Sequence, residues 1–220
     1  TFELYYGNIK DIVIIGLLPS YLERQNASLV YMVNTLIKHS KQEESGFYLH
    51  DFALLASKLQ ALQKSNKKVV LLGVTFALLD FAEAYPMNLS NITVMETGGM
   101  KGRATSLTKE GMHELLKKQW NLSTIHAEYG MTELLSQAYS FGDNIYKCPD
   151  YFKILIREEN DPFAIQKTGK GAINIIDLAN IYSCAFIATE DLGINYENGQ
   201  FSVLGRIDYS ALRGCSQMTT

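Results

Sequence analysis

The sequence predicts an α/β fold: a mostly parallel sheet flanked by helices, followed by a mainly antiparallel β-rich part. Three observations predict it. Over the first two-thirds of the chain, short apolar runs alternate with longer segments of helical periodicity. The apolar runs are continuous, as strands covered on both faces are, rather than alternating with polar residues. From about residue 150 the helical pattern gives way to strands and turns.

Taken in order, "TFELYYGNIK" reads as the inside of a helix, and "IVIIGLL" at 12–18 as a strand. Charge flanks that run and no cleavage pattern follows, so it is a buried strand and not a signal peptide. Residues 28–40 are helical, with Leu29, Met32, Val33, Leu36 and Ile37 on one face. A short strand at 45–49 precedes a helix at 51–65, with Asp51 as N-cap. The strand at 68–74 runs into a helix at 75–85, which Pro86 stops. A strand at 92–99, a helix at 108–120 capped by Thr108 and a strand at 123–130 follow. "YGMTELLSQAY" then reads as a helix start, with Thr132 as cap and Glu133 at the positive helix end. "YFKILIR", "GAINIIDLA", "SCAFIATEDLG" and "QFSVLGRIDY" are strands, and "ENGQ" at 197–200 is a hairpin turn. The organisation expected is an α/β sheet subdomain with nucleotide loops over 1–150, a β-rich subdomain packed on it over 151–204, and a short C-terminal part over 205–220.

Composition narrows the function classes. The 220 residues are 47% hydrophobic and 20% charged, as in a soluble globular protein with a real core. A net charge of −3 gives no electrostatic case for nucleic acid or an anionic membrane. No run is long enough to span a bilayer. Cys148, Cys184 and Cys215 are too scattered for a disulfide framework or a zinc site, which points to a reducing, cytoplasmic compartment. Glycosylation patterns at Asn26, Asn88, Asn91 and Asn121 are short enough to arise by chance, and nothing else suggests secretion.

Ligands of open parallel sheets bind outside the carboxyl ends of the strands. That rule selects "GVTF" after 68–74, "GGMKGR" after 92–97 and "YGMTE" after 123–128. "YGMTE" admits two readings. One is an ordinary capped helix start. The other is a hydroxyl and a carboxylate that bind phosphate and Mg²⁺ through hard oxygen ligands, with Tyr129 covering a flat base. In "METGGMKGR", Gly98 and Gly99 allow close backbone approach, with Lys101 or Arg103 near phosphates; alternatively it is a solvated turn. "ATEDLG" at 188–193 and "VLGRIDYSALRGC" at 203–215 each read on their own as turn or surface segments.

The order and spacing of these four segments are more specific than any one of them. "YGMTE" resembles the Tyr-Gly-x-[Thr/Ser]-Glu motif of the adenylate-forming superfamily, which includes acyl-CoA synthetases, luciferases and phenylacetate-CoA ligases. "TGG" lies where that superfamily has its adenine loop, "TEDLG" resembles the segment ending in the ribose-binding aspartate, and "LGRID" resembles the Gly-Arg-x-Asp hinge motif. Together with "LLPSYLERQNASLVYM", "EYGMTELLSQAYS" and "LGRIDYSALRGC", they resemble the acyl-protein synthetase (LuxE-type) branch over nearly the whole chain.

The resemblance implies that the chain is part of an adenylate-forming large domain and uses ATP and Mg²⁺. It implies that Tyr129 stacks near adenine, beside Gly98, Gly99 and Gly130. Thr132 contacts phosphate, Glu133 binds Mg²⁺, and Asp191 holds the ribose with help from Arg206. Tyr21 and Phe76 line an acyl pocket, and Cys215, beside Arg213, accepts the acyl group. His126 and Glu128 take no role from it. The implied substrate is a fatty or other carboxylic acid, with an acyl-CoA/acyl-protein reductase or a carrier protein as partner. The superfamily's Ser/Thr/Gly phosphate loop and its mobile C-terminal domain have no counterpart here, so the expectation is a fragment incomplete for adenylation. Two alternatives stand beside it: a degenerate nucleotide- or acyl-binding subunit without turnover, and a CoA ligase.

Overall fold

Six consecutive buried residues form strand β1 (Ile12–Leu17), an interior strand of a parallel arm. Burial on both faces is what its unbroken run of aliphatic side chains requires. The computed structural model describes residues 1–18, 27–48, 51–98, 108–159, 161 and 163–207. Among these, the order of elements through the parallel arm is α1 (Phe2–Tyr6), β1, α2 (Ser28–Ser40), β2 (Gly46–Phe47), α3 (Phe52–Gln63), β3 (Lys68–Val74), α4 (Thr75–Ala84), β4 (Thr93–Thr97), α5 (Lys109–Trp120) and β5 (His126–Tyr129). The strands β2, β1, β3, β4 and β5 lie side by side in that order, all parallel.

The helices between them have local reasons. Asp51 accepts the Leu54 amide at 2.8 Å to cap α3, and Thr108 accepts that of Gly111 at 3.2 Å to cap α5. Asn121 closes α5 in the left-handed conformation, with φ of 53°. Of the predicted apolar face of α2, Val33 is buried and Leu29, Met32, Leu36 and Ile37 pack against the core. Trp120, Phe81, Leu71 and Leu59 are among the fully buried side chains of this half.

From Ala138 onward every described strand pairing is antiparallel. Strands β6 (Ala138–Ser140), β7 (Ile145–Lys147), β8 (Phe152–Arg157), β9 (Ile165–Gln166), β10 (Gly169–Asp177), β11 (Phe186–Asn195) and β12 (Phe201–Arg206) extend the same sheet in the order β6-β7-β12-β11-β10-β8-β9. The α/β fold with a parallel and an antiparallel part is therefore as the sequence predicts. Two details differ. The antiparallel strands begin at Ala138, ahead of the change of pattern near residue 150. The helix expected from Thr132 is absent: residues 130–137 form a turn that returns the chain to pair β6 with β5, Tyr129 opposite Ala138.

Two side-chain clusters follow the two arms. The larger packs β1, β3 and β4 against the helices, and the smaller gathers Ala127, Tyr129, Leu134, Tyr146, Ile154, Ile173 and Phe201. Within the antiparallel arm Gly171 lets β10 lie close to β8. A Cβ there would stand 2.5 Å from the Arg157 carbonyl oxygen and 2.8 Å from Ile156. Gly171→Ala is expected to lower unfolding stability by about 1–3 kcal/mol, because backbone on one side cannot yield. A urea midpoint unchanged from the parent protein would contradict this.

Candidate nucleotide site

The carboxyl ends of β3, β4 and β5 are level. Val74 is opposite Thr97, and Thr97 opposite Glu128. This register brings the start of α4, Gly98 and Tyr129 to one edge of the sheet. Phe76 is on the first turn of α4, half-buried. Gly98 follows β4 with φ of 86°, a backbone conformation natural to glycine.

Tyr129 joins this edge to the antiparallel arm. It is 9% exposed and packs edge-on against Tyr146 and Phe201, with ring centroids 5.9 and 5.3 Å away. Its hydroxyl donates to Asp191 Oδ2 at 2.8 Å. Burial, and after it the Asp191 carboxylate, push the phenol well above its ordinary pKa. Asp191 lies in β11 opposite Arg206 of β12, with 3.6 Å between its Oδ1 and Arg206 Nη1. Arg206 Nη2 also donates to Glu190 Oε2 at 2.6 Å. Residues of "TGG", "YGMTE", "TEDLG" and "GRID", dispersed over more than a hundred positions, are thus assembled around one aromatic residue.

The turn after Tyr129 presents polar groups outward. Gly130, Thr132 and Glu133 are exposed, while Leu134 and Ser136 are buried. The Thr132 hydroxyl lies 3.1 Å from that of Ser28, at the start of α2. Beneath the turn, the Glu128 carboxylate accepts a short hydrogen bond from the Thr97 hydroxyl. Glu128 Oε1 occupies the space a Cβ at residue 130 would need, so a larger residue after Tyr129 would displace that carboxylate. Tyr21, Gly99 and Cys215, with Lys101 and Arg103, lie outside the described residues.

Polar groups unassigned by the sequence lie beside the site. Glu96, 3% exposed, accepts from Thr75 Oγ1 at 3.1 Å and pairs with Lys109 Nζ at 2.6 Å. His113 Nε2 stands 3.7 Å away, an electrostatic neighbour beyond hydrogen-bonding reach. Burial opposes ionisation of Glu96, but His113 and Lys109 overcome it and hold the carboxyl at about 2. For Glu128 burial dominates and the charge of Glu96 adds to it. The Thr97 hydrogen bond offsets only part, and the pKa rises to about 7. Carboxylates inside apolar runs, such as Glu96 in "ITVMET", are the sequence signal for such pairs. Among the described residues no group of three or more His, Cys, Asp or Glu side chains is placed to hold a metal, and no helix is long and apolar enough to cross a membrane.

No family model and no curated protein matches the chain. Solved structures do. MatB from Rhodopseudomonas palustris superimposes with a TM-score of 0.66 at 15% identity, covering 94% of this chain and 42% of that one. o-Succinylbenzoate CoA synthetase from Bacillus subtilis, bound to a product analogue, gives 0.60 at 17% identity, over 94% and 43%. A long-chain-fatty-acid-CoA ligase from Archaeoglobus fulgidus gives 0.58 at 15% identity, over 92% and 45%. The chain thus spans less than half the length of each of these enzymes. Over the part it spans, the chain has the fold of the adenylate-forming ligases.

Proposed function

We propose that the chain forms the nucleotide-binding side of an adenylate-forming ligase that uses ATP to activate a carboxylic acid. The observation that carries this reading is the direct contact of Tyr129 with Asp191, itself beside Arg206, at a sheet edge shared with Gly98. In that arrangement adenine lies along Gly98 and Tyr129, and Asp191 takes the ribose hydroxyls. The exposed Thr132 and Glu133 then face the phosphates. A hydroxyl and a carboxylate are hard oxygen donors of the type Mg²⁺ accepts alongside substrate phosphates, so the residues present fit that ion. When bound, it offsets phosphate charge. In the reaction the substrate carboxylate attacks the α-phosphorus of ATP. An acyl–phosphate bond forms, the bond to the β-phosphate oxygen breaks, and pyrophosphate leaves with the electron pair. The sulfur of a deprotonated thiol then attacks the acyl carbon, the acyl–phosphate bond breaks, and AMP leaves with the electron pair as the thioester forms.

The acceptor divides two readings. The motif resemblance favours a protein cysteine, Cys215, in an acyl-protein synthetase serving a reductase or carrier protein. The solved ligases of the same fold favour coenzyme A. Incubation with ATP, Mg²⁺ and a fatty acid, with and without coenzyme A, followed by mass spectrometry of Cys215, separates them. The nucleotide reading itself is tested by titration calorimetry. The protein is expected to bind ATP more tightly with Mg²⁺ than without. Glu133→Ala is expected to weaken the Mg²⁺-dependent binding by about tenfold and to leave metal-free binding unchanged. Equal affinities of Glu133→Ala and the parent in Mg²⁺ would remove the metal role from Glu133.

A further inference from the structure

We propose that Asp177, the last residue of β10, and Asn180, in the 3-10 turn that follows it, are the positioning residues that fix the Thr132–Glu133 turn in its ligand-facing conformation. This rests on the nucleotide reading above and adds to it two residues that none of the four motifs contains.

Asp177 is 0% exposed, and among the described residues the groups that donate to it are all uncharged. Its charge is held by hydrogen bonds instead. Oδ2 accepts the backbone N–H groups of Leu135 and Ser136, each at 2.9 Å. Oδ1 accepts the Ser136 hydroxyl at 2.6 Å and the Ala179 amide at 3.1 Å. Asn180, also buried, donates from Nδ2 to the Glu133 carbonyl oxygen at 2.7 Å and to that of Cys184 at 2.9 Å. Three of the four residues from Glu133 to Ser136 are therefore tied to a segment more than forty positions later.

A buried carboxylate costs several kcal/mol unless it is satisfied, and this one is satisfied largely by the turn it holds. The same capture explains why no helix forms there: the Leu135 and Ser136 amides are bonded to Asp177. The arm that anchors the turn also carries Asp191, because β10 and β11 are paired neighbours. One rigid unit thus sets both the ribose side and the phosphate side of the proposed site. Placement errors near 1 Å are enough to lose about a hundredfold in a reacting complex, so a turn held at three residues is a functional device as well as a structural one.

Asp177→Asn preserves size but leaves a single acceptor oxygen, so an amide group must face at least one N–H donor. The experiment compares the affinity for Mg²⁺-ATP with that for adenosine, which lacks the phosphates that Thr132 and Glu133 would face. Asp177→Asn and Asn180→Ala are expected to weaken Mg²⁺-ATP binding by about tenfold or more and to leave adenosine binding within about twofold. Ser136→Ala removes one of the four bonds to Asp177 and is expected to give a smaller loss of the same kind. It keeps the test available should Asp177→Asn not fold. Parallel loss of both ligands in the folded variants, or unchanged Mg²⁺-ATP affinity, would overturn the positioning role. A parent protein that binds neither ligand would overturn the nucleotide reading itself.

Discussion

Lys109→Met is expected to destabilise the protein by about 3 kcal/mol at neutral pH, the lower end of the range for removing one partner of a buried ion pair. The lower end applies because Glu96 retains the Thr75 hydrogen bond and the nearby His113. Two pH windows follow from the shifts. The Glu96 carboxyl is held at about 2, so its contribution is present above its ordinary value of 4.5 and is lost as pH falls through about 2. For Lys109, burial is the largest single effect and acts downward, but the Glu96 charge, Tyr146 and the hydrogen bonds to both together outweigh it and raise the pKa. Its contribution is present below the ordinary value of 10.5 and is lost as pH rises through the elevated one. At neutral pH both are fully expressed. Without Lys109 the Glu96 carboxylate is a poorly compensated buried charge, and it takes up a proton more readily. The deficit should therefore be largest near pH 7 and shrink toward acid. Adding Glu96→Gln should recover most of it. Urea unfolding at pH 4 and pH 7 measures both effects. An equal deficit at the two pH values with no rescue by Glu96→Gln would mean that the pair contributes through packing alone.

That pair matters to the site by its position. Glu96 is the penultimate residue of β4 and Lys109 the first of α5, so the bond ties the strand that leads into Gly98 to the helix that follows. Lys109 Nζ also donates to the Tyr146 hydroxyl at 2.7 Å, and Tyr146 packs on Tyr129. The wall behind the tyrosine is thus charged at its base and aromatic above it.

The parallel arm was legible because its signals are local. β1 and β3 are continuous aliphatic runs, and the N-caps of α3 and α5 are carried by an aspartate and a threonine just ahead of each helix. The turn at 130–137 was not legible. Met131, Leu134, Leu135 and Ala138 fall at helical spacing, and Thr132 is a good cap, so every local preference favours a helix. The opposing interaction comes from Asp177, distant in sequence and invisible to any short window. Strands β6 and β7, three residues each, are too short to show alternation. The site was legible in a different way. No local rule places Asp191 beside Tyr129; the two were linked only through the resemblance of four separated motifs, and in the structure their side chains stand 2.8 Å apart. Glu96, Asp177 and Asn180 escaped notice because each is a polar residue within or just after an apolar strand, where sequence alone does not say which partner satisfies it.

Glu128→Gln is expected to stabilise the protein at pH 8 and to leave it nearly unchanged at pH 5. Glu128 lies directly opposite Thr97, next to Tyr129 in the same strand, so the two side chains leave opposite faces of the sheet. Around Glu128 stand Thr97, Tyr139, Tyr6 and His126, with Glu96 acting electrostatically from β4. None supplies a cation near neutral pH. Burial lowers the His126 pKa below its ordinary value, and its Nδ1 lies 2.9 Å from the Tyr6 hydroxyl. The carboxyl pKa is consequently raised from 4.5 to about 7. For an acid raised in the folded state the native form binds the extra proton. Its stabilising contribution is complete below 4.5 and is lost as pH rises through about 7. At about 1.4 kcal/mol per pH unit the loss amounts to roughly 3 kcal/mol by pH 8. Glutamine remains neutral throughout, and its amide oxygen can still accept from Thr97. The variant should therefore be more stable than the parent by roughly this amount at pH 8, and its stability should vary less between pH 5 and pH 8. Parallel stability curves across that interval would show that Glu128 is ionised in the native state throughout, and would point to water or a cation reaching it beneath Gly130.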